Sequence, residues 1–204
     1  EKVMQCLKKA ADELSKSRKT AAKKLSAEIE RELAELDMPK VKFSVEIEKC
    51  DYTKNGADSV EFMISPNPGE PMKPLEKIAS GGELSRIMLA VKTILSDGDD
   101  VDTLVFDEID TGVSGSAAEK IAQKLFRLAE KKQVICVSHL PQLAAAADNH
   151  YLVEKKDKDG RTVTAAHLID GEERAEEIAR ITDGENITKT SIEHAKQMLE
   201  RYVR

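Results

Sequence analysis

The sequence predicts an α/β fold: a parallel-sheet core with flanking helices and a β-hairpin, approached by one long helix. Three observations predict it. Thr103-Leu104-Val105-Phe106 and Gln133-Val134-Ile135-Cys136-Val137 are short apolar runs of the kind that form buried parallel strands, ending in Asp107-Glu108 and Ser138-His139. Val41, Phe43, Val45 and Ile47 alternate with polar residues, as do Val60, Phe62 and Ile64 beyond Asn55-Gly56, which is the pattern of a hairpin. The first 36 residues hold neither Gly nor Pro and read as a single helix.

Composition bounds the answer. At 204 residues, with 40% hydrophobic and 34% charged content, the chain suits one sizeable helix-rich domain plus an extension. Aromatics are 3% and Trp is absent, so the core must be aliphatic. No apolar run approaches the ~18 residues of a membrane span, and no signal peptide is visible. Cys6, Cys50 and Cys136 are far apart and odd in number, which argues against a disulfide framework or a zinc site and fits a reducing cytoplasm. Cys136 reads as core. The net charge of −6 excludes a uniformly nucleic-acid-coating surface. It is unevenly spread: residues 8–24 carry seven basic side chains against two acids, and residues 170–186 carry seven acids against two arginines. A basic helix can track phosphates, while a solvated helix face is the plainer account. The chain opens at Glu1 with a helical pattern already running, and reads as a piece of a longer protein.

Taken in order, Met4, Ala11, Arg18 and Leu25 recur at steps of seven, with Leu7, Leu14 and Ala21 three residues out of phase. That is a coiled-coil stripe weakened by its alanines and by Arg18. At about 1.5 Å per residue such a helix is about 54 Å long and should project. Asp37-Met38-Pro39 ends it. The hairpin follows, with its first strand at 40–49, and then a Pro/Gly-rich loop at 65–74. A helix is expected at 83–96, closed by Asp97-Gly98-Asp99-Asp100, and another at 115–131 with Ile121, Ala122, Leu125 and Leu128 on one face. After the strand at 133–138, Pro141 starts a short helix that stops by Asp148. Lys158-Asp159-Gly160 marks a second hairpin, and two helices at 172–182 and 188–202 close the chain, the latter capped by Thr188.

Chemistry concentrates in three places. In Ala79-Ser80-Gly81-Gly82-Glu83, Ser80 suits a helix N-cap and Glu83 completes a capping box. The glycines leave backbone N–H groups bare at the positive end of the helix dipole, an anion site that suits phosphate. Asp107 and Glu108 stand at the C-terminal end of one strand and His139 at that of another, where ligands of open α/β sheets bind. One carboxylate for Mg²⁺, a second for a water and a histidine near a phosphate is the layout of phosphoanhydride hydrolysis. A P-loop needs Gly-Lys before Ser or Thr, and none of the ten glycines precedes a lysine.

Here a resemblance enters. A-S-G-G-E resembles the signature motif of the ABC ATPases, T-L-V-F-D-E their Walker B strand, Ile109-Asp110-Thr111-Gly112-Val113 their D-loop and Val137-Ser138-His139 their switch-histidine loop. The wording S-G-G-E-L-S-R and D-E-I-D-T-G-V-S-G is similar to SMC-like ABC ATPases of bacterial DNA repair, over residues 36–204. The resemblance implies the C-terminal lobe of a P-loop NTPase head at 38–204, with a coiled-coil arm base at 1–37. It implies ATP and Mg²⁺ as cofactors, with Asp107 on Mg²⁺ through water, Glu108 activating the attacking water and His139 on the γ-phosphate. Ser80, Gly81, Gly82 and Glu83 would meet a nucleotide held by a second head, with Asp110 at the seam. The implied partners are the P-loop lobe of its own head, a second copy of the head and DNA, in a nucleoid-associated cytoplasmic protein acting in double-strand-break repair and recombination. The fragment alone is expected to be inactive. The alternatives are a transporter's nucleotide-binding subunit and an ATPase-dead coiled-coil scaffold.

Overall fold

The computed structural model describes residues 1–78, 80–98, 100–113, 115–158 and 161–203, and divides into two units, Glu1–Asp99 and Asp100–Arg204.

In the first unit, α1 (Lys2–Glu35) packs on a sheet of β1 (Lys42–Thr53), β2 (Gly56–Ser65) and β3 (Lys73–Pro74), and on α2 (Gly81–Leu95). β1 and β2 pair antiparallel, with Phe43 opposite Ile64 and Ile47 opposite Val60. This keeps the alternating apolar residues on shared faces. β1 runs four residues further than its alternation predicts, up to the Asn55-Gly56 turn. The 65–74 loop returns far enough for Lys73 and Pro74 to pair with Ile64 and Met63. Ile29, Leu33 and Leu36 are fully buried beside Ile64, Ile87 and Leu89, each burial being worth about 1.5–3 kcal/mol. The Glu30 carboxylate accepts the Phe43 N–H at 3.1 Å, which ties the start of β1 to the helix.

The heptad stripe has a local use. Arg18 Nη1 donates to Asp58 Oδ2 at 3.0 Å, and its Nη2 donates to the Asn55 carbonyl at 2.6 Å. A Cβ on Gly56 would stand 2.9 Å from Leu14 Cδ2. The hairpin tip therefore sits on α1 at Leu14 and Arg18, which explains a charged residue in the apolar stripe. Residues 1–10 are exposed, Met4 and Leu7 among them. α2 starts two residues earlier than periodicity suggests, and a 3₁₀ turn, Ser96–Gly98, continues it. Ala79, at the head of the signature stretch, and Asp99, in the closing segment, lie outside the described residues.

In the second unit, β4 (Thr103–Phe106) and β5 (Gln133–Cys136) pair parallel in the register Thr103–Gln133 to Phe106–Cys136. α3 (Gly115–Leu128) connects them and buries Ala118, Ile121, Ala122, Leu125 and Leu128, the face expected from the sequence. Ser114, just before it, lies outside the described residues. α4 (Pro141–Ala146) leads to the hairpin of β6 (His150–Lys158) and β7 (Arg161–Ile169), whose Asp159-Gly160 turn also lies outside them. α5 (Gly171–Asp183) and α6 (Lys189–Glu200) enclose an aliphatic cluster of Ala145, Ala175, Ile178, Ala179, Ala195 and Met198. Thr188 caps α6 reciprocally with Ser191: each side-chain oxygen accepts the other's backbone N–H.

One expectation is corrected. The two parallel strands are not buried on both faces. Leu104 and Phe106 are buried, but Val105 is 66% and Ile135 47% exposed, and Cys136 is only half-buried. No described residue covers the outer face. No described helix is long and apolar enough to cross a membrane.

Candidate functional site

The singled-out residues fall in both units. In the first, Ser80 has extended backbone angles (φ −93°, ψ 117°) and its Oγ accepts the Glu83 N–H at 3.4 Å. It is the N-cap of α2, as predicted. The reciprocal arm of the capping box, from Glu83 back to Ser80, is not made among the described residues. Gly81 is exposed and Gly82 buried at the helix start. Arg86, one turn on, is buried. Burial pushes its guanidinium down, and the carboxylates of Glu83 and Asp37 oppose that.

In the second unit, the parallel ladder continues one bond past the strands, the Val137 N–H donating to the Phe106 carbonyl at 2.9 Å. It brings 107–108 and 138–139 out at one edge of the sheet. Asp107 and Glu108 are exposed there. Asp107 Oδ1 accepts the Glu108 N–H at 2.9 Å, and Glu108 has φ 56°, the left-handed region. This bend turns the chain from the strand into the 109–113 segment, which the bonds Thr111 N–H to Glu108 O and Val113 N–H to Asp110 O hold. Ile109 and Asp110 point inward and are buried.

Asp110 is the residue whose setting the sequence did not disclose. Its Oδ2 accepts from Ser138 Oγ at 2.6 Å and from the His139 N–H at 2.9 Å, and His139 Nδ1 lies 3.2 Å from the same oxygen. Ser138 Oγ in turn accepts the Leu140 N–H at 3.0 Å. The Asp110 side chain is 2% exposed, and that of His139 79%. A buried carboxylate thus anchors the loop carrying an open imidazole. An acid three residues after Asp107, separated from Glu108 by a buried Ile, was the available signal. Pairing it with Ser138 needed the parallel register.

The strand end is electrostatically negative. Burial, aided by the Asp110 and Asp107 carboxylates, pushes the Cys136 thiol up to about 12. A divalent cation would relieve that field. Among the described residues no three His, Cys, Asp or Glu side chains gather into a metal cage. Asp107 therefore fits as a single protein ligand to an ion that takes its other oxygens from phosphates and water, which is how Mg²⁺ is commonly held.

No protein-family model matches the chain. It is 47% identical over 192 residues to DNA repair protein RecN of Halalkalibacterium halodurans, covering 92% of this chain and 34% of that protein. It is 44% identical over 207 residues to DNA repair protein RecN of Bacillus subtilis, covering 94% of this chain and 36% of that one. The chain matches the C-terminal region of RecN. It spans about a third of the length of these RecN relatives. Among solved structures, the Smc head domain with a coiled coil and joint from Pyrococcus yayanosii is similar in fold, with a TM-score of 0.56 at 19% identity over 82% of this chain and 30% of that one. The fold is therefore that of the C-terminal lobe of an SMC-type head, and the RecN match extends over the long helix as well as the sheet.

Proposed function

We propose that this chain is the C-terminal lobe of the ATPase head of a RecN-type, SMC-like DNA repair protein, with residues 1–37 as the base of a coiled-coil arm and 38–204 as the lobe. The observation that carries the reading is the delivery of Asp107, Glu108 and His139 to one edge of the β4–β5 pair, with Asp110 fixing the histidine loop. Bound ATP with Mg²⁺ would supply the phosphoanhydride bond that is cleaved. Asp107 holds the ion's hydration shell. Glu108 orients the attacking water and takes its proton. His139 presents its ring to the terminal phosphate. Ser80, Gly81, Gly82 and Glu83, at the positive end of α2, face the nucleotide of a second copy of the head, so that nucleotide joins two heads and hydrolysis parts them. Asp110 lies on the D-loop between the two functions.

The uncovered apolar face at Val105 and Ile135 suits the lobe that carries the P-loop, because an apolar strand face of this kind is stable only when covered. The larger assembly would act on DNA, in the cytoplasm and at the nucleoid. The test is ATP turnover by the full-length protein with Glu108→Gln. Nucleotide binding should persist while turnover slows on the order of 10²-fold or more. Normal turnover in that variant would remove Glu108 from this role.

A further inference from the structure

We propose that Asp110 is a positioning residue that fixes the tautomer and the outward orientation of His139 within its own chain. The inference rests on the reading above for the use made of His139, but its geometry stands independently.

Three groups converge on Asp110 Oδ2: the Ser138 hydroxyl at 2.6 Å, the His139 backbone N–H at 2.9 Å and His139 Nδ1 at 3.2 Å. The hydroxyl and the amide both donate. An ionised carboxylate oxygen only accepts, so Nδ1 carries the hydrogen. In a neutral imidazole the other nitrogen is then bare. With 79% of the side chain exposed, Nε2 is the atom left to the open edge of the sheet. The loop is over-determined, since main chain, neighbouring hydroxyl and ring of 138–139 all hang on one buried carboxylate. Ser138 Oγ passes the constraint on to the Leu140 N–H at the start of α4. Orientation of a histidine by a carboxylate behind it is a general way of committing one nitrogen so that the other does the work. Here Nε2 can take a proton from a reacting group and, once protonated, donate to a phosphate oxygen. A positive charge appearing on the ring would face Asp110.

The first measurement needs no variant. In the ¹⁵N-labelled 204-residue chain, long-range ¹H–¹⁵N correlation should show neutral His139 with hydrogen on Nδ1 and a bare Nε2. A dominant Nε2–H form would overturn the proposal. In Asp110→Asn, the amide can donate to Nδ1, and the neutral ring should shift toward Nε2–H. An unchanged tautomer in the folded variant would also overturn it. In the full-length protein, Asp110→Asn should lower kcat on the order of 10²-fold or more with KM little changed, and Asp110→Glu should recover part of the loss. If the tautomer follows Asp110 but His139→Ala hydrolyses ATP normally, the positioning stands and the catalytic reading of His139 fails. If His139→Ala is inactive while Asp110→Asn hydrolyses ATP normally, the catalytic reading stands and the positioning role fails.

Discussion

The Glu108 backbone N–H donates to Oδ1 of Asp107 at 2.9 Å, and Glu108 makes this bond from a φ of 56°. A left-handed residue with a Cβ costs about 1 kcal/mol. Strain is therefore stored on the side chain assigned to the water, as at many functional positions. Glu108→Gly should be stabilising by up to about 1 kcal/mol in urea unfolding of this chain while abolishing hydrolysis in the full-length protein. Glu108→Gln keeps the Cβ and should leave stability unchanged. A glycine variant less stable than the glutamine one would refute the strain account.

Ser80 separates a local role from one across two heads. Its Oγ caps α2, so Ser80→Ala should cost about 1 kcal/mol and no more. Ser80→Arg in the full-length protein should abolish hydrolysis and ATP-driven head engagement while sparing folding and P-loop binding. Mixed with heads whose P-loop is disabled, it should regain activity that neither parent shows. Failure to regain activity in a mixture shown to heterodimerise would count against a role in trans.

The hairpin tip offers a purely structural test. Gly56 has φ 105°, and a Cβ there would meet Leu14 Cδ2 at 2.9 Å and Arg18 Nη1 at 3.0 Å. Gly56→Ala should destabilise the chain by about 1–3 kcal/mol in urea unfolding, through both strain and crowding. It should also speed amide exchange around residues 53–58. The Asp58 carboxyl is held below its usual range first by the Ser15 hydroxyl and then by Arg18, against the cost of burial, so the tip has two anchors on α1. Arg18→Ala should loosen the tip without melting the sheet.

His150 should set part of the acid sensitivity. Burial first, then the Arg174 guanidinium, pushes its imidazole below its ordinary 6.5, with Glu177 opposing, and its Nδ1 is buried without a partner among the described residues. The unfolded chain therefore binds a proton before the folded one does. This contribution to stability is full above 6.5 and is lost as pH falls through the lowered folded value. Urea midpoints followed downward from pH 7 should drop more steeply for the natural chain than for His150→Gln. Equal slopes would refute this.

The isolated chain should bind ATP weakly at best, since a P-loop's backbone amides and lysine supply most phosphate contacts. Micromolar binding by calorimetry would contradict this.

Much of the fold was legible because local rules suffice for it. Glycine and proline bound α1, alternation writes β1 and β2, and the apolar spacing of α3 names its buried face. What escaped depends on distant partners. Lys73 and Pro74 join the sheet because β2 presents a free edge, a fact absent from their own composition. Val105 and Ile135 look like core, but their exposure depends on what covers them. At the site, residue types and spacing marked Asp107, Glu108 and His139, and the cap at Ser80 followed from its neighbours. The inward turn of Asp110 did not, because only pairing β4 with β5 brings residues 28 and 29 positions apart onto one carboxylate oxygen.

The state of Cys136 has a practical side. Thiol reagents attack the thiolate, and a thiol pushed up to about 12 stays protonated at neutral pH. Cys6, on the exposed start of α1, and Cys50, on β1, are both open. Maleimide chemistry should therefore place two dyes or spin labels on the first unit and leave the strand end beside Asp107 unmodified. The natural sequence thus carries a ready pair of reporters for bending between the tip of the long helix and its sheet, with no cysteine to add or remove.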